Sequence, residues 1–247
     1  MTKTAIITGG GRGIGRGCAL ELAKQGCDIV LVDLIPEDLA NTKAEVELLG
    51  QTCRTFLADV SDFGRAHDIL AEIEAETGPV DILVNNAGKS NTAGITEITE
   101  ESFDRTIAIN LKGAFNWTHA TAPGMLRAER GRIVMMSSLN AYTGGVTSAV
   151  SRFSYTTAKA GLLGMTRALA KELAPHILVN AVCPGIIETE RSNEMIRARK
   201  EDLVRGITLG RTGTPADVAQ VVAFLCLSDP CFMTGQDLKI DGLQWII

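Results

Sequence analysis

The sequence predicts one α/β domain across all 247 residues, a doubly wound seven-stranded parallel sheet with helices on both faces. Three observations predict it. Short apolar runs alternate with helix-length runs along the chain, and strict strand–helix rotation gives parallel strands joined by right-handed crossovers. The short runs are apolar throughout rather than at every second residue, as in strands covered on both faces. Hydrophobic residues make up 45% of the chain and aromatics only 4%, so the core is built of Ala, Val, Ile and Leu, while 25 glycines, several in tight clusters, mark special backbone sites.

Residues 4–7 form the first strand. The glycine-rich turn Thr8-Gly9-Gly10-Gly11-Arg12-Gly13-Ile14-Gly15 follows at once, and a helical pattern then runs from Ile14 to about Gln25 and stops at Gly26. Strand, glycine turn and helix in that order let a pyrophosphate approach the backbone at the positive end of a helix. A glycine-rich turn without a ligand is the plainer reading, and the flanking strand and helix argue against it. The spacing is T-G-x-x-x-G-x-G rather than G-x-G-x-x-G. The second strand, 28–33, ends in Asp33, about 20 positions after the turn, where a carboxylate accepts hydrogen bonds from both ribose hydroxyls of NAD and repels the 2′-phosphate of NADP. Arg12 could pair with a phosphate and keeps NADP open as the lesser option. A solvated strand-end Asp is the alternative for Asp33.

The rotation continues with a helix over 36–49 and a strand over 52–58 ending at Asp59-Val60, a candidate adenine contact. A helix over 62–77 starts at Asp62 as N-cap. A strand over 80–84 precedes Asn85-Asn86-Ala87-Gly88. Thr8, Asp33, Asp59 and Asn86 all fall at carboxyl ends of strands, where such sheets bind ligands. One long helix is predicted over 100–126. It carries Asn110 amid apolar residues, and leaving that amide unpaired would cost ~1–3 kcal/mol. Asn110 is therefore either bonded to neighbouring backbone or the holder of a water in a proton relay, and the two roles are compatible. Strands over 132–136 and 177–182 and a last short strand and turn at 239–242 complete the sheet.

The chemistry centres on Tyr155 and Lys159. Four residues make about one helical turn, so phenol and ammonium share a face of the predicted helix 154–173. A nearby cation favours the phenolate and lowers a pKa that is ordinarily near ~10. Such a pair can move a proton to or from a substrate oxygen. An isolated Y-x-x-x-K is commonplace; its setting in this chain gives it weight. Ser137 and Ser138 end the fifth strand, where a hydroxyl would share the crevice with Tyr155.

Other function classes are excluded by composition. The net charge is -5 and no basic stripe appears, so the footprint of a nucleic-acid binder is missing. The six cysteines lack C-x-x-C pairing and lie mostly in apolar runs, as buried thiols of a reducing compartment do. No apolar run reaches the ~20 residues of a membrane span, and the N-terminus lacks a signal-peptide layout. The chain reads as cytoplasmic, with no membrane partner. No metal-ligand cluster stands out among His67, His119 and His176.

Taken in order and at these separations, Thr8 to Gly15, Asp59-Val60, Asn85 to Gly88, Asn110, Ser138, Tyr155-x-x-x-Lys159, Asn180, Pro184-Gly185-x-x-x-Thr189 and Asp241-Gly242 resemble the short-chain dehydrogenases/reductases over essentially the whole chain. The resemblance implies a Rossmann fold and a nicotinamide-dependent oxidoreductase. Tyr155 would be the general acid/base and Lys159 the group that lowers its pKa and holds the nicotinamide ribose. Ser138, favoured over Ser137, would bond the substrate carbonyl, and Asn110 would complete the relay to solvent. Gly9, Gly13, Ile14 and Gly15 would cradle the pyrophosphate. Asp59, Val60 and Asn86 would flank the adenine side. Ile187 and Thr189, after Pro184, would meet the carboxamide.

The general look is similar to 3-oxoacyl-carrier-protein reductases and to NAD-linked sugar and polyol dehydrogenases. Asp33 points to NAD, and NAD to oxidation of a polyol or sugar alcohol; reduction of 3-oxoacyl or other bulky ketones is the alternative. Residues 139–153 make a loop about four residues longer than is common in the family, which implies a reshaped substrate site. Residues 186–210 correspond to a substrate lid, in which Arg191, Arg197 and Arg205 are either solvated or ligands for an acidic substrate. A homotetramer is implied, with helices 100–126 and 154–173 pairing across a two-fold axis.

Overall fold

The strands have almost no solvent-facing positions, and that dictates where they lie. The computed structural model describes residues 2–145, 151–190 and 200–244. In it β1 (Thr4–Thr8) is buried at every position and β2 (Asp28–Asp33) at its four central ones. With β3 (Cys53–Leu57), β4 (Ile82–Asn85), β5 (Gly131–Met136), β6 (Ile177–Pro184) and β7 (Asp237–Ile240) they form one sheet in the order β3-β2-β1-β4-β5-β6-β7. Every pairing is parallel.

Because side chains alternate across a strand, β1 sends Ile6 to one face and Ala5 and Ile7 to the other. On the first face Ile6, Leu83 and Ile133 pack with Ile69 and Ile73 of α3 (Phe63–Thr77), Trp117 and Met125 of a helix over Gly113–Arg127, and Leu162 of a helix over Phe153–Glu172. On the second, Ala5, Ile7, Leu31 and Val84 pack with Leu22 of α1 (Gly13–Lys24), Val46 of α2 (Pro36–Leu48) and Val218 and Val222 of a helix over Pro215–Leu227. The chain winds outward from β1 to β3 and then returns to place β4 on the other side of β1. Between β1 and β4 lies the switch point, where a crevice opens beyond the carboxyl ends of the strands.

Three features depart from the sequence reading. The long helix predicted over 100–126 is two helices, α4 (Glu100–Ile107), capped by the Thr99 hydroxyl, and α5 (Gly113–Arg127), joined by a π-helical turn at Ala108–Lys112. There the Gly113 N–H reaches back five residues to the Ala108 carbonyl. The extra residue in the turn carries Asn110, and nothing in the apolar run around it signals the insertion. The helix over Pro215–Leu227 has no counterpart in the sequence reading, yet Thr214 and Asp217 form a complete capping box at its start. A four-residue helix, α6 (Asn140–Thr143), follows Ser138. With α7 (Phe153–Glu172) and α8 (Lys200–Arg205), the helix over Pro215–Leu227 is α9. Arg191, Arg197 and loop residues 146–150 lie outside the described residues.

Candidate active site

The rim on the β1 side is built from backbone. At the end of β1 the Thr8 hydroxyl accepts from the Asn86 and Ala87 amides at 3.0 and 3.1 Å, and the Asn86 side-chain amide donates to the Thr8 and Gly9 carbonyls at 3.0 and 2.9 Å. Asn86 thus stitches β4 to the glycine turn across the switch point. Gly9 and Gly13 take positive φ, +64° and +58°, a conformation costly for any side chain. A Cβ on Gly15 would overlap the Gly9 carbonyl, so α1 can press onto the turn only with glycine there.

At the α1 N-terminus the Gly13 amide donates to the Glu190 carboxylate at 3.1 Å, and the Thr189 methyl lies 3.5 Å from where a Gly13 Cβ would stand. The segment after β6 therefore reaches the glycine turn, and an anion already sits where a phosphate is predicted. Ile14 packs at the edge of the second core. Asp33 accepts from the Gly11 amide at 3.0 Å and from the Leu34 amide at 2.7 Å. Arg12 lies beside Asp38.

Asp59 faces its own chain. Its carboxylate accepts from the Ser61 amide and hydroxyl and pairs with Arg105. Burial pushes its pKa up, but the bonds from Arg105 and Ser61 outweigh burial and hold it below the ordinary value. Val60 is buried against Gly113, and its carbonyl accepts from Asn116 at 2.9 Å.

The other side of the crevice is assembled from side chains. Lys159, 3% exposed, donates from Nζ to the Met136 carbonyl at 2.7 Å, and Nζ lies 5.5 Å from the centroid of the Tyr155 ring. Burial lowers the Lys159 pKa to about 8, with Cys183 opposing weakly. Ser137 and Ser138 separate cleanly. The buried Ser137 hydroxyl donates inward to the Lys159 carbonyl at 2.8 Å, whereas the half-buried Ser138 oxygen accepts from the Asn140 amide at 3.2 Å, which leaves its proton to donate elsewhere.

Asn110 clamps the backbone of Lys89, accepting from its amide at 3.1 Å and donating to its carbonyl at 2.9 Å, and it also donates to the Thr106 carbonyl. Both sequence-level roles therefore stay compatible. A Cβ on Gly88 would lie 2.8 Å from the Asn110 oxygen and 3.4 Å from Lys159 Nζ, so the two side chains converge on this glycine. The Lys89 that Asn110 clamps lines a hollow of ≈ 370 Å³, with Asn91, Thr106 and Ile109.

The Pro184 carbonyl accepts from the Leu139 amide at 2.9 Å, pinning the segment after β6 to the one after β5, and Ile187 bridges to Gly213. The sequence reading missed Glu190, Asp38 and the Met136 carbonyl. Glu190 and Asp38 sit beside predicted site residues, a usable signal; the carbonyl has none. His67 and His119 meet at the surface, 3.0 Å apart. Among the described residues no three His, Cys, Asp or Glu side chains gather as a metal site, and no helix is long and apolar enough to cross a membrane.

Comparison with known proteins agrees with this geometry. Residues 9–242 match the family model described as Enoyl-(Acyl carrier protein) reductase. The chain is 36% identical over 241 residues to the 3-oxoacyl-[acyl-carrier-protein] reductase FabG of Thermotoga maritima, covering 97% of this chain and 96% of the relative. It is 37% identical over 254 residues to the acetoacetyl-CoA reductase of Shinella zoogloeoides, covering all of both. This chain belongs to the short-chain dehydrogenase/reductase family. A solved Brucella melitensis structure, named short-chain dehydrogenase/reductase SDR:Glucose/ribitol dehydrogenase, superposes with TM-score 0.90 at 34% identity, over 99% of this chain and 97% of that one. The protein is an oxidoreductase of a family that works with nicotinamide cofactors.

Proposed function

We propose that the protein reduces 3-oxoacyl or similarly bulky ketones with a nicotinamide dinucleotide, and that it uses NAD(H) in preference to NADP(H). The observation that carries the reading is the convergence of buried Lys159 and Asn110 at Gly88, with the Tyr155 ring centroid 5.5 Å from the Lys159 ammonium. The relatives named for 3-oxoacyl and acetoacetyl substrates move the substrate from the polyol expected first to an acyl ketone. Oxidation of a sugar or polyol is the second reading, favoured by the name of the Brucella structure.

The residues fit such a cofactor. Gly9 and Gly13 at positive φ and Gly15 against the Gly9 carbonyl give the tight turn a pyrophosphate needs, and the Glu190 carboxylate stands in for an anion on the Gly13 amide. Asp33 would accept from the adenosine ribose. Arg12, Ile14, Asp59, Val60 and Asn86 would flank the pyrophosphate and adenosine, and Pro184, Ile187, Thr189, Tyr155 and Lys159 the nicotinamide half. When bound, the nicotinamide supplies or accepts a hydride at the carbinol carbon.

The chain's own groups manage the proton and the oxygen. Tyr155 donates its phenolic proton to the substrate oxygen in reduction and takes it back in oxidation. The Lys159 ammonium, fixed by the Met136 carbonyl, favours the phenolate that each turnover leaves. Ser138 donates to the same oxygen and steadies its developing charge, a preorganised donor that needs no reorientation. Asn110 holds the Lys89 backbone at the wall of the polar hollow, through which water would return the proton to Lys159. We place the protein in the cytoplasm, since five of its six cysteines are free and buried. We also propose a homotetramer pairing through α4–α5 and α7, where Phe115 and Leu126 are exposed large apolar residues.

The test is a substrate panel run in both directions, with direct titration of NADH and NADPH. The reading expects acetoacetyl and longer 3-oxoacyl thioesters to be reduced with kcat/KM on the order of tenfold or more above oxidation of any polyol. A polyol that wins hands the case to the second reading. Failure to bind either dinucleotide sinks both.

A further inference from the structure

One corner of the crevice carries a charge that the reading above does not use, that of Asp38. At Gly11, between Arg12 and the end of β2, two carboxylates crowd the same glycine. A Cβ there would lie 2.9 Å from the Asp38 Cβ and 3.1 Å from Asp33 Oδ2. Asp33 is engaged by the Gly11 and Leu34 amides. Asp38 Oδ2 is buried without a hydrogen-bond partner, and its neighbour is the Arg12 guanidinium, with Nε 3.4 Å away. The contact is therefore an ion pair without a hydrogen bond, and Arg12 remains 37% exposed. Among the described residues the corner holds the Asp33 and Asp38 carboxylates and the Arg12 guanidinium, which faces the acid on α2.

We propose that Asp38 is a specificity-positioning residue: it keeps Arg12 paired at the start of α2, so that the guanidinium does not neutralise a 2′-phosphate, while Asp33 repels that phosphate directly. This rests on the dinucleotide reading above. It adds that the preference for NAD(H) is set by a pair of acids, one acting on the ribose position and one acting through Arg12. Arg12 alone, read from the sequence, points the other way, toward NADP.

A merely structural role for Asp38 also exists. It is in the first turn of α2 with Glu37, where acidic residues favour the helix dipole. A ratio separates the two roles, because weakening α2 affects both dinucleotides, whereas freeing Arg12 affects only the one with a 2′-phosphate.

The experiment measures dissociation constants of NADH and NADPH by fluorescence titration of the intact protein and its variants. Asp38→Asn is expected to tighten NADPH about tenfold and to move NADH by no more than about twofold, the weight of one charge beside a partly exposed phosphate. Asp38→Glu keeps the charge and should restore the parent ratio. Glu37→Gln, which removes a charge from the same helix turn, should leave the ratio alone. Arg12→Ala covers the case in which Asp38→Asn does not fold: with Arg12 already engaged by Asp38, any loss should fall on both dinucleotides alike and the NADPH/NADH ratio should move by no more than about twofold. In the Asp38→Asn background the same substitution should erase the whole gain. Parallel shifts for both dinucleotides or no shift in Asp38→Asn, an equal effect of Glu37→Gln, or an NADPH loss well beyond the NADH loss in Arg12→Ala alone would each overturn the proposal. If the parent binds neither dinucleotide, the cofactor reading itself falls and this one with it, an outcome visible before any variant is made.

Discussion

The two rims of the crevice are made differently. On the glycine-turn side, the contacts are hydrogen bonds between backbone and short side chains that tie positions nearly eighty residues apart, as Asn86 does to Thr8 and Gly9. Nothing there tolerates a Cβ at Gly15. On the other side, the described residues after Ser138 are tied to several separate segments of the chain. The Leu139 amide bonds to Pro184, the Lys239 ammonium lies 4.3 Å from the Tyr142 ring centroid, and the Arg152 amide bonds to Asn91. On the function proposed above, the backbone rim meets the dinucleotide, which presents one shape, and the side-chain rim meets substrates, which differ. Between the two rims, Lys159 and Asn110 converge on Gly88 and belong to both.

Four experiments would break or sharpen this comparison. The largest effect is expected from Tyr155→Phe, which removes the proton and little else: turnover should fall by ~10³ or more while dinucleotide affinity stays within about threefold. Retained turnover would remove the phenol from the chemistry.

Lys159→Met comes next. It should lower kcat by ~10² or more. Burial lowers the Lys159 pKa from 10.5 to about 8, so between those values the unfolded chain binds more protons than the folded one. The side chain's contribution to stability is then full above pH 10.5 and is lost as pH falls through 8. At neutral pH the variant should be more stable than the parent by ~1–3 kcal/mol, because an apolar side chain replaces a buried charge. Denaturant unfolding at pH 7 and pH 10 should show that gain shrinking at the higher pH. A variant less stable at both would contradict the burial argument.

Ser138→Ala and Ser137→Ala test the two rims through adjacent residues. The first should cost ~10²-fold in kcat and under ~1 kcal/mol of stability, from the lost acceptor of the Asn140 amide. The second should cost about 1 kcal/mol of stability, because it removes the donor to the Lys159 carbonyl, with a smaller kinetic loss. Reversed outcomes would reassign the hydroxyl. The smallest effect is expected far from the chemistry. Asp217→Ala removes the α9 capping box and should cost ~1–2 kcal/mol with turnover unaffected. The Arg211 fork holds the Asp217 pKa below 3.8, so the contribution is full above that pH and is lost as pH falls below it. Thermal melts of parent and variant should converge in acid.

Much of this was legible before any coordinates. Apolar runs covered on both faces, glycines at positive φ, Asp62 as an N-cap and Tyr155 four residues before Lys159 are local patterns, and each stands where the pattern put it. The rest divides by cause. The π turn around Asn110 exists because that amide needs the Lys89 backbone, which is close only in the fold. The Ser137–Ser138 choice turns on which hydroxyl faces α7, and no local pattern distinguishes two consecutive serines at a strand end. Helix α9 could have been read from Thr214-Pro215-Ala216-Asp217.

What the sequence determined by itself is the sheet, its winding, its glycine turn and the helix face that Tyr155 and Lys159 share, because hydrophobic period, turn chemistry and helical spacing act over a few residues. Only the tertiary structure decided which groups become neighbours: Glu190 on the Gly13 amide, Asp38 on Arg12, and Asn110 and Lys159 about Gly88. Those meetings bring together residues far apart in the chain, and burial and charge act on a side chain only through the surroundings that the folded sheet provides.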